Sequence, residues 1–92
     1  MAGREQRFSK RVMMIYVYAI KSKKDGRIYV GMTDNIERRL KEHNSGKTKS
    51  TKGFIPWELI YEVEMENREN ARVREKYLKS GFGKLFLKNL IL

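Results

Sequence analysis

The sequence predicts an α/β fold, a three-stranded antiparallel sheet flanked by helices in a single domain. Residues 14–20 (MIYVYAI) and 27–32 (RIYVGM) are β-branched and aromatic runs joined by a turn-forming segment. Residues 56–65 (PWELIYEVEM) alternate apolar with mostly acidic positions, as a third strand does. Two further segments, about 34–44 and 67–80, place their apolar residues at helical spacing.

The first two strands form a hairpin. Asp25-Gly26 suits a type I′ turn, which needs positive φ at both central residues. With these as the turn, Lys24 stands opposite Arg27, and even positions of the first strand share a face with odd positions of the second. Tyr16, Tyr18 and Ile20 then share a face with Tyr29, Gly31 and Thr33. Ile15, Val17 and Ala19 share the other with Ile28, Val30 and Met32. One face is plain apolar core, and the other is a tyrosine face with a bare glycine in it.

Asp34 is the expected N-cap of the first helix, with Glu37 completing an acidic capping box and Gly46 placed to end the helix. At about 100° per residue, Ile36 and Leu40 define the buried stripe, Arg39 falls about 60° to one side of Ile36, and His43 about 20° to the same side. Arg38, Lys41 and Glu42 point to solvent. His43 is the one histidine of the chain. Packing alone would put an aliphatic residue there.

SGKTKSTKG, residues 45–53, is a basic polar loop without periodicity. In the third strand Trp57, Leu59, Tyr61, Val63 and Met65 alternate against the polar positions. The second helix runs from Asn67 to about Ser80, with Ala71 and Leu78 inward, Glu75 between them on that face, and Gly81 as the C′ residue. LFLKNLIL packs as a short C-terminal helix. A buried glutamate is costly unless paired or bound to a cation. Glu75 therefore either pairs with Arg39 or a lysine, with the tyrosines as ordinary core, or belongs to a site.

Composition narrows the chemistry. Twenty-one Lys and Arg against eleven Asp and Glu give +10 over 92 residues, the electrostatic footprint of a partner of phosphate backbones. With no cysteine and one histidine, disulfides, thiolate zinc sites and multi-histidine centres are excluded. Any metal must be a hard cation on oxygen ligands. There is no apolar run of membrane-spanning length. Residues 1–13 lack the apolar stretch of a signal peptide and are expected to form a mobile basic arm ahead of the domain at 14–92. The cytoplasm is the expected location.

These residues resemble the GIY-YIG nucleases. YVY at 16–18 matches the first signature tripeptide and YVG at 29–31 the second, with Tyr18 and Tyr29 eleven positions apart. Arg39 and His43 stand where the family's helix carries its arginine and, in many branches, a histidine. Glu75 in REKYLKSG matches the metal-binding glutamate. The resemblance covers residues 14–83 and follows the small single-domain members. It implies Mg²⁺-dependent (or Mn²⁺-dependent) hydrolysis of phosphodiester bonds in DNA, with Tyr18, Tyr29, Arg39, His43 and Glu75 as catalytic residues. Glu75 would hold the metal, Arg39 the scissile phosphate, and Tyr29 or His43 would be the general base.

The 29–44 segment is also similar to catalytic subunits of structure-specific endonucleases, so structured DNA is one implied substrate. The chain departs from the pattern in Tyr16, where glycine is usual, and in Met32, where excision-repair nucleases tend to have lysine. Asn89 is the candidate for the late asparagine of many members. Nothing resembles a separate DNA-recognition domain, which leaves room for a protein partner that supplies substrate recognition. Lys47, Lys49 and Lys52 of the loop, with Lys23, Lys24 and the Arg and Lys residues of the N-terminal arm, are the expected phosphate contacts. The alternative is a nucleic-acid-binding module that keeps the fold without catalysis.

Overall fold

A computed structural model describes residues 14–90, so the basic arm expected at 1–13 lies outside the described residues. The elements in order are β1 (Ile15–Ser22), β2 (Ile28–Thr33), α1 (Ile36–Asn44), β3 (Trp57–Met65), α2 (Arg68–Lys79) and α3 (Gly81–Leu90). The three strands form one antiparallel sheet with β1 in the middle, between β2 and β3. The predicted architecture is the observed one.

The hairpin register differs from the expected one by two residues. Tyr18 pairs with Gly31 and Ile20 with Tyr29, and the turn closes where Ser22 N–H donates to the Arg27 carbonyl at 2.9 Å. Ser22 is the cause. Its hydroxyl accepts from the backbone N–H of Lys24 and of Asp25, at 3.0 and 3.2 Å, which builds a four-residue loop. Within it only Gly26 takes positive φ (+82°). A slip of two keeps side-chain parity, so both predicted faces survive.

Helices cover both faces. Ile15, Val17, Ala19 and Val30 pack with Ala71 and Leu78 of α2 and Leu87 of α3. Tyr18, Ile20 and Trp57 form a second cluster with Tyr29, Ile36, Leu40, Phe54, Ile55 and Leu59. Val17, Ile20, Leu78 and Leu87 are fully buried, each worth about 1.5–3 kcal/mol relative to exposure.

The third strand does not keep one alternation. Ala19 pairs with Tyr61 but Ile20 with Leu59, so Ile60 is a bulge. One extra residue reverses parity. Trp57 and Leu59 therefore enter the α1 side, while Tyr61, Val63 and Met65 enter the α2–α3 side.

The helix ends need two corrections. The N-cap of α1 is Asn35, not Asp34: the Asn35 side chain accepts from Arg38 N–H at 2.9 Å, and Asp34 instead pairs with the Arg38 guanidinium at 2.7 Å. Cap and ion pair thus divide the two neighbouring polar residues between them. Gly46 does follow the helix with positive φ (+83°). Gly81 is not a left-handed C′ residue but opens α3, directly after the extended Ser80. Gly83, two residues on, lies so close to the Tyr77 carbonyl and Leu78 Cα that no Cβ fits, which lets α3 fold back tightly onto α2.

Candidate active site

The tyrosine face of the hairpin and the inner face of α1 meet at His43. His43 is wholly buried, more deeply than Ile36 and Leu40 of the same helix. Its Nε2 lies 2.8 Å from the Tyr18 hydroxyl, and its Nδ1 lies 2.8 Å from Thr51 Oγ1. The Tyr29 ring meets the imidazole edge to face with centroids 5.1 Å apart. Tyr18 is buried, whereas Tyr29 is partly exposed.

Gly31 makes this arrangement possible. It is the cross-strand partner of Tyr18, and a Cβ at that position would stand 2.7 Å from the tyrosine oxygen. Its bare Cα leaves room for the ring of Tyr18.

Burial sets the charges. Desolvation drives His43 down to about 4, assisted by the Arg39 guanidinium, with Glu42 pulling the other way, so the imidazole is neutral at pH 7. Burial likewise raises Tyr18, and the neighbouring Arg39 partly opposes it. Arg39 is held firmly in its charged form by a hydrogen bond to Glu42 at 2.9 Å and by the adjacent phenols. Glu42 also reaches Arg38 at 3.5 Å. It therefore braces the arginines rather than pointing away to solvent.

Arg38, Arg39, Glu42 and Asp34 line an open cleft of about 360 Å³ with Arg68, at the Thr33 end of β2. Three guanidiniums against two carboxylates leave this cleft net basic. Arg68 and Glu42 were not singled out from the sequence. The i,i+3 and i,i+4 spacing of Glu42 to Arg39 and Arg38 was the available signal; for Arg68 there was none.

Glu75 stands apart from these groups. It belongs to α2, on the other side of the sheet from His43, and is partly buried. It pairs with Lys79 at 3.2 Å, an i,i+4 contact, and shares a surface hollow with Arg72, Val73, Lys76 and Lys79. Of the two pairings open to Glu75, the one with a lysine is formed and the one with Arg39 is not, Arg39 being held by Glu42. Among the described residues, no three His, Asp or Glu side chains cluster to hold a metal. The carboxylate chemistry of Glu75 therefore suits only a hard cation that keeps waters and borrows phosphate oxygens, as Mg²⁺ does. Asn89 is exposed on the last turn of α3.

Lys47, Lys49 and Lys52 are exposed on the loop after α1. The loop is better ordered than its composition suggests. Lys52–Phe54 forms a 3₁₀ turn, and Thr51 is buried beneath the lysines. Asn44 clamps the loop ends, donating to the Trp57 carbonyl at 3.0 Å and accepting from its N–H at 2.6 Å. Thr51 was the site residue least visible in the sequence, one hydroxyl in a run of polar residues.

Comparison with known proteins agrees with this geometry. Residues 14–89 match the model of the GIY-YIG catalytic domain. A UPF0213 protein of Clostridium perfringens is 45% identical over 67 residues, covering 72% of this chain and 71% of its own. A UPF0213 protein of Natronomonas pharaonis is 39% identical over 66 residues, covering 71% and 76%. The solution NMR structure of a UPF0213 protein from Bacillus halodurans superposes with a TM-score of 0.52 at 37% identity, over 85% of each chain. With paired tyrosines of two signature strands converging on a helix that carries arginine and histidine, and with the family model spanning nearly all described residues, the chain belongs to the GIY-YIG catalytic domain family, a family of nuclease-type hydrolases.

Proposed function

We propose that the protein is a cytoplasmic, divalent-metal-dependent DNA endonuclease. One observation carries this reading: partly exposed Tyr29 and the Arg39 guanidinium lie at the open rim of a buried Tyr18–His43 pair, beside a net-basic cleft. Binding alone needs no such polar arrangement beneath the surface.

In this reading Arg39 meets the scissile phosphate with two parallel N–H donors, and its charge offsets the negative charge that builds during attack. Its brace to Glu42 fixes the fork in advance of substrate. Arg38 and Arg68 receive the flanking phosphates. Water attacks phosphorus as Tyr29 Oη accepts its proton and releases its own hydroxyl proton to solvent, and the bond to the leaving sugar oxygen breaks, that oxygen taking a proton from solvent. Tyr29 is preferred to His43 as base because the imidazole is sealed from solvent and already engaged at both nitrogens. Tyr18 and His43 orient the site from below. Glu75 is the residue that would hold Mg²⁺ or Mn²⁺; a metal there would supply positive charge to phosphate oxygens on the α2 side of the sheet, away from the phosphate that Arg39 holds. Lys79 must then yield, at small cost for an i,i+4 pair whose lysine end is exposed.

A second reading, a nucleic-acid-binding module without catalysis, is favoured by the placement of Glu75 across the sheet among Arg72, Lys76 and Lys79. A cleavage assay on plasmid, branched and single-stranded DNA, with and without Mg²⁺, separates the two. Metal-dependent cleavage that disappears in Arg39→Ala supports the endonuclease. DNA binding without cleavage under any metal condition supports the module.

A further inference from the structure

We infer that Thr51 is a positioning residue: its hydroxyl fixes the neutral His43 ring in the Nδ1–H tautomer, and the ring thereby holds the Tyr18 hydroxyl as a donor to Nε2. The inference rests on the nuclease reading for its purpose, but the tautomer itself is a property of the free protein.

The argument is a count of protons along a buried chain. Tyr18, His43 and Thr51 are linked by two contacts of 2.8 Å, and all three are buried. Neither ring nitrogen of His43 touches a carboxylate, and a fully buried imidazole between two uncharged hydroxyls is neutral. One nitrogen therefore carries hydrogen and the other a lone pair.

Tyr18 decides which. The Arg39 guanidinium lies beside its hydroxyl and is donor-only, so the phenolic oxygen turns its lone pairs there and its proton elsewhere. The acceptor within reach is His43 Nε2. Nδ1 must then carry the hydrogen, and Thr51 Oγ1 accepts it. The Thr51 hydroxyl proton is left to the Thr48 carbonyl, 3.4 Å away. The opposite tautomer would leave the buried Tyr18 proton without an acceptor.

Thr51 is itself held firmly. Its carbonyl accepts from the Trp57 indole at 2.9 Å, and its N–H donates to the Thr48 carbonyl at 3.1 Å. It also sits between Lys49 and Lys52, on the loop proposed to meet phosphate. The segment that grips the substrate is thus also the segment that sets the tautomer under Tyr18.

With one histidine in the chain, ring ¹⁵N–¹H NMR reads the tautomer without ambiguity. Wild-type protein should show hydrogen on Nδ1, a pyridine-type Nε2, and a slowly exchanging Tyr18 hydroxyl proton near the ring. Thr51→Val, which keeps shape but removes the acceptor, should move the ring toward the Nε2–H form, and Thr51→Ser should restore it. With DNA and Mg²⁺, Thr51→Val should lower kcat by about 10- to 100-fold with KM little changed, the scale of a slightly misplaced group. A wild-type ring in the Nε2–H form overturns the inference, as does a folded Thr51→Val with an unchanged ring. Should Thr51→Val not fold, Tyr18→Phe supplies the second arm, because loss of the donor to Nε2 should raise the Nε2–H population and an unmoved ring overturns the inference. Absence of cleavage with the expected ring signals would count against the nuclease reading alone.

Discussion

Tyr18 lies directly across the hairpin from Gly31, and its ring fills the volume that a side chain at position 31 would need. The glycine of one signature tripeptide is thereby the space for the tyrosine of the other. The hydroxyl end of the ring is held by His43, so it cannot simply swing aside.

Gly31→Ala should therefore cost about 1–3 kcal/mol, the scale of overpacking a filled core. The cost should largely vanish when Tyr18 is also alanine, since the clash is with that ring. A double-mutant cycle by urea unfolding checks this. Equal costs in both backgrounds would show that another group fills the space.

His43 makes stability depend on acid. Its folded-state value of about 4 lies below the ordinary 6.5, so between those two values the unfolded chain binds more protons. The stability it contributes is complete above about pH 6.5, falls as pH drops through the window, and is lost below about pH 4, a difference on the order of 3 kcal/mol. Unfolding measured against pH should show this slope in wild-type protein and lack it in His43→Gln. Parallel curves for the two proteins would refute it.

Arg39→Ala should slow cleavage by about 10²–10³, the scale of losing one transition-state donor. Duplex binding should fall much less, because Arg38, Arg68 and the loop lysines remain. Arg39→Lys should not restore the rate, since lysine cannot offer the two-pronged contact. Single-turnover kinetics beside a binding titration measure both quantities, and a rescue by lysine would reduce Arg39 to a point charge.

Glu75→Gln should change stability by no more than about 0.5 kcal/mol, because the pair it would lose is an i,i+4 contact whose lysine end is exposed. The same substitution should weaken Mg²⁺ binding in a calorimetric titration, and metal-dependent cleavage that survives it would place the catalytic ion elsewhere. A loss of about 3–5 kcal/mol would instead mark a buried ion pair.

Replacing Lys47, Lys49 and Lys52 by alanine should flatten the salt dependence of duplex affinity by about 0.9 in log–log slope for each lysine that neutralises a phosphate. Circular dichroism should be unchanged, since all three are exposed. An unaltered slope would move the nucleic-acid surface to other cations.

Much of this molecule is legible from local pattern. Strand alternation depends on side-chain parity, which the two-residue slip at Ser22 leaves intact, so the tyrosine and apolar faces of the hairpin follow from the sequence alone. The helical angle that sets Arg39 and His43 beside the sheet is equally local. The tripeptides, the charge and the absence of cysteine belong to the same level.

Tertiary structure decided what depends on partners distant in the chain. The Ile60 bulge reverses the second half of β3, and no residue preference marks it in WELIYEVEM. Thr51 reads as one more solvated hydroxyl until the loop, clamped by Asn44 and Trp57, carries it under the lysines to His43. Glu75 faces inward on its own helix, but its neighbours depend on which sheet face receives that helix. Spacing on α2 cannot specify this, because both faces of the sheet are apolar enough to accept it.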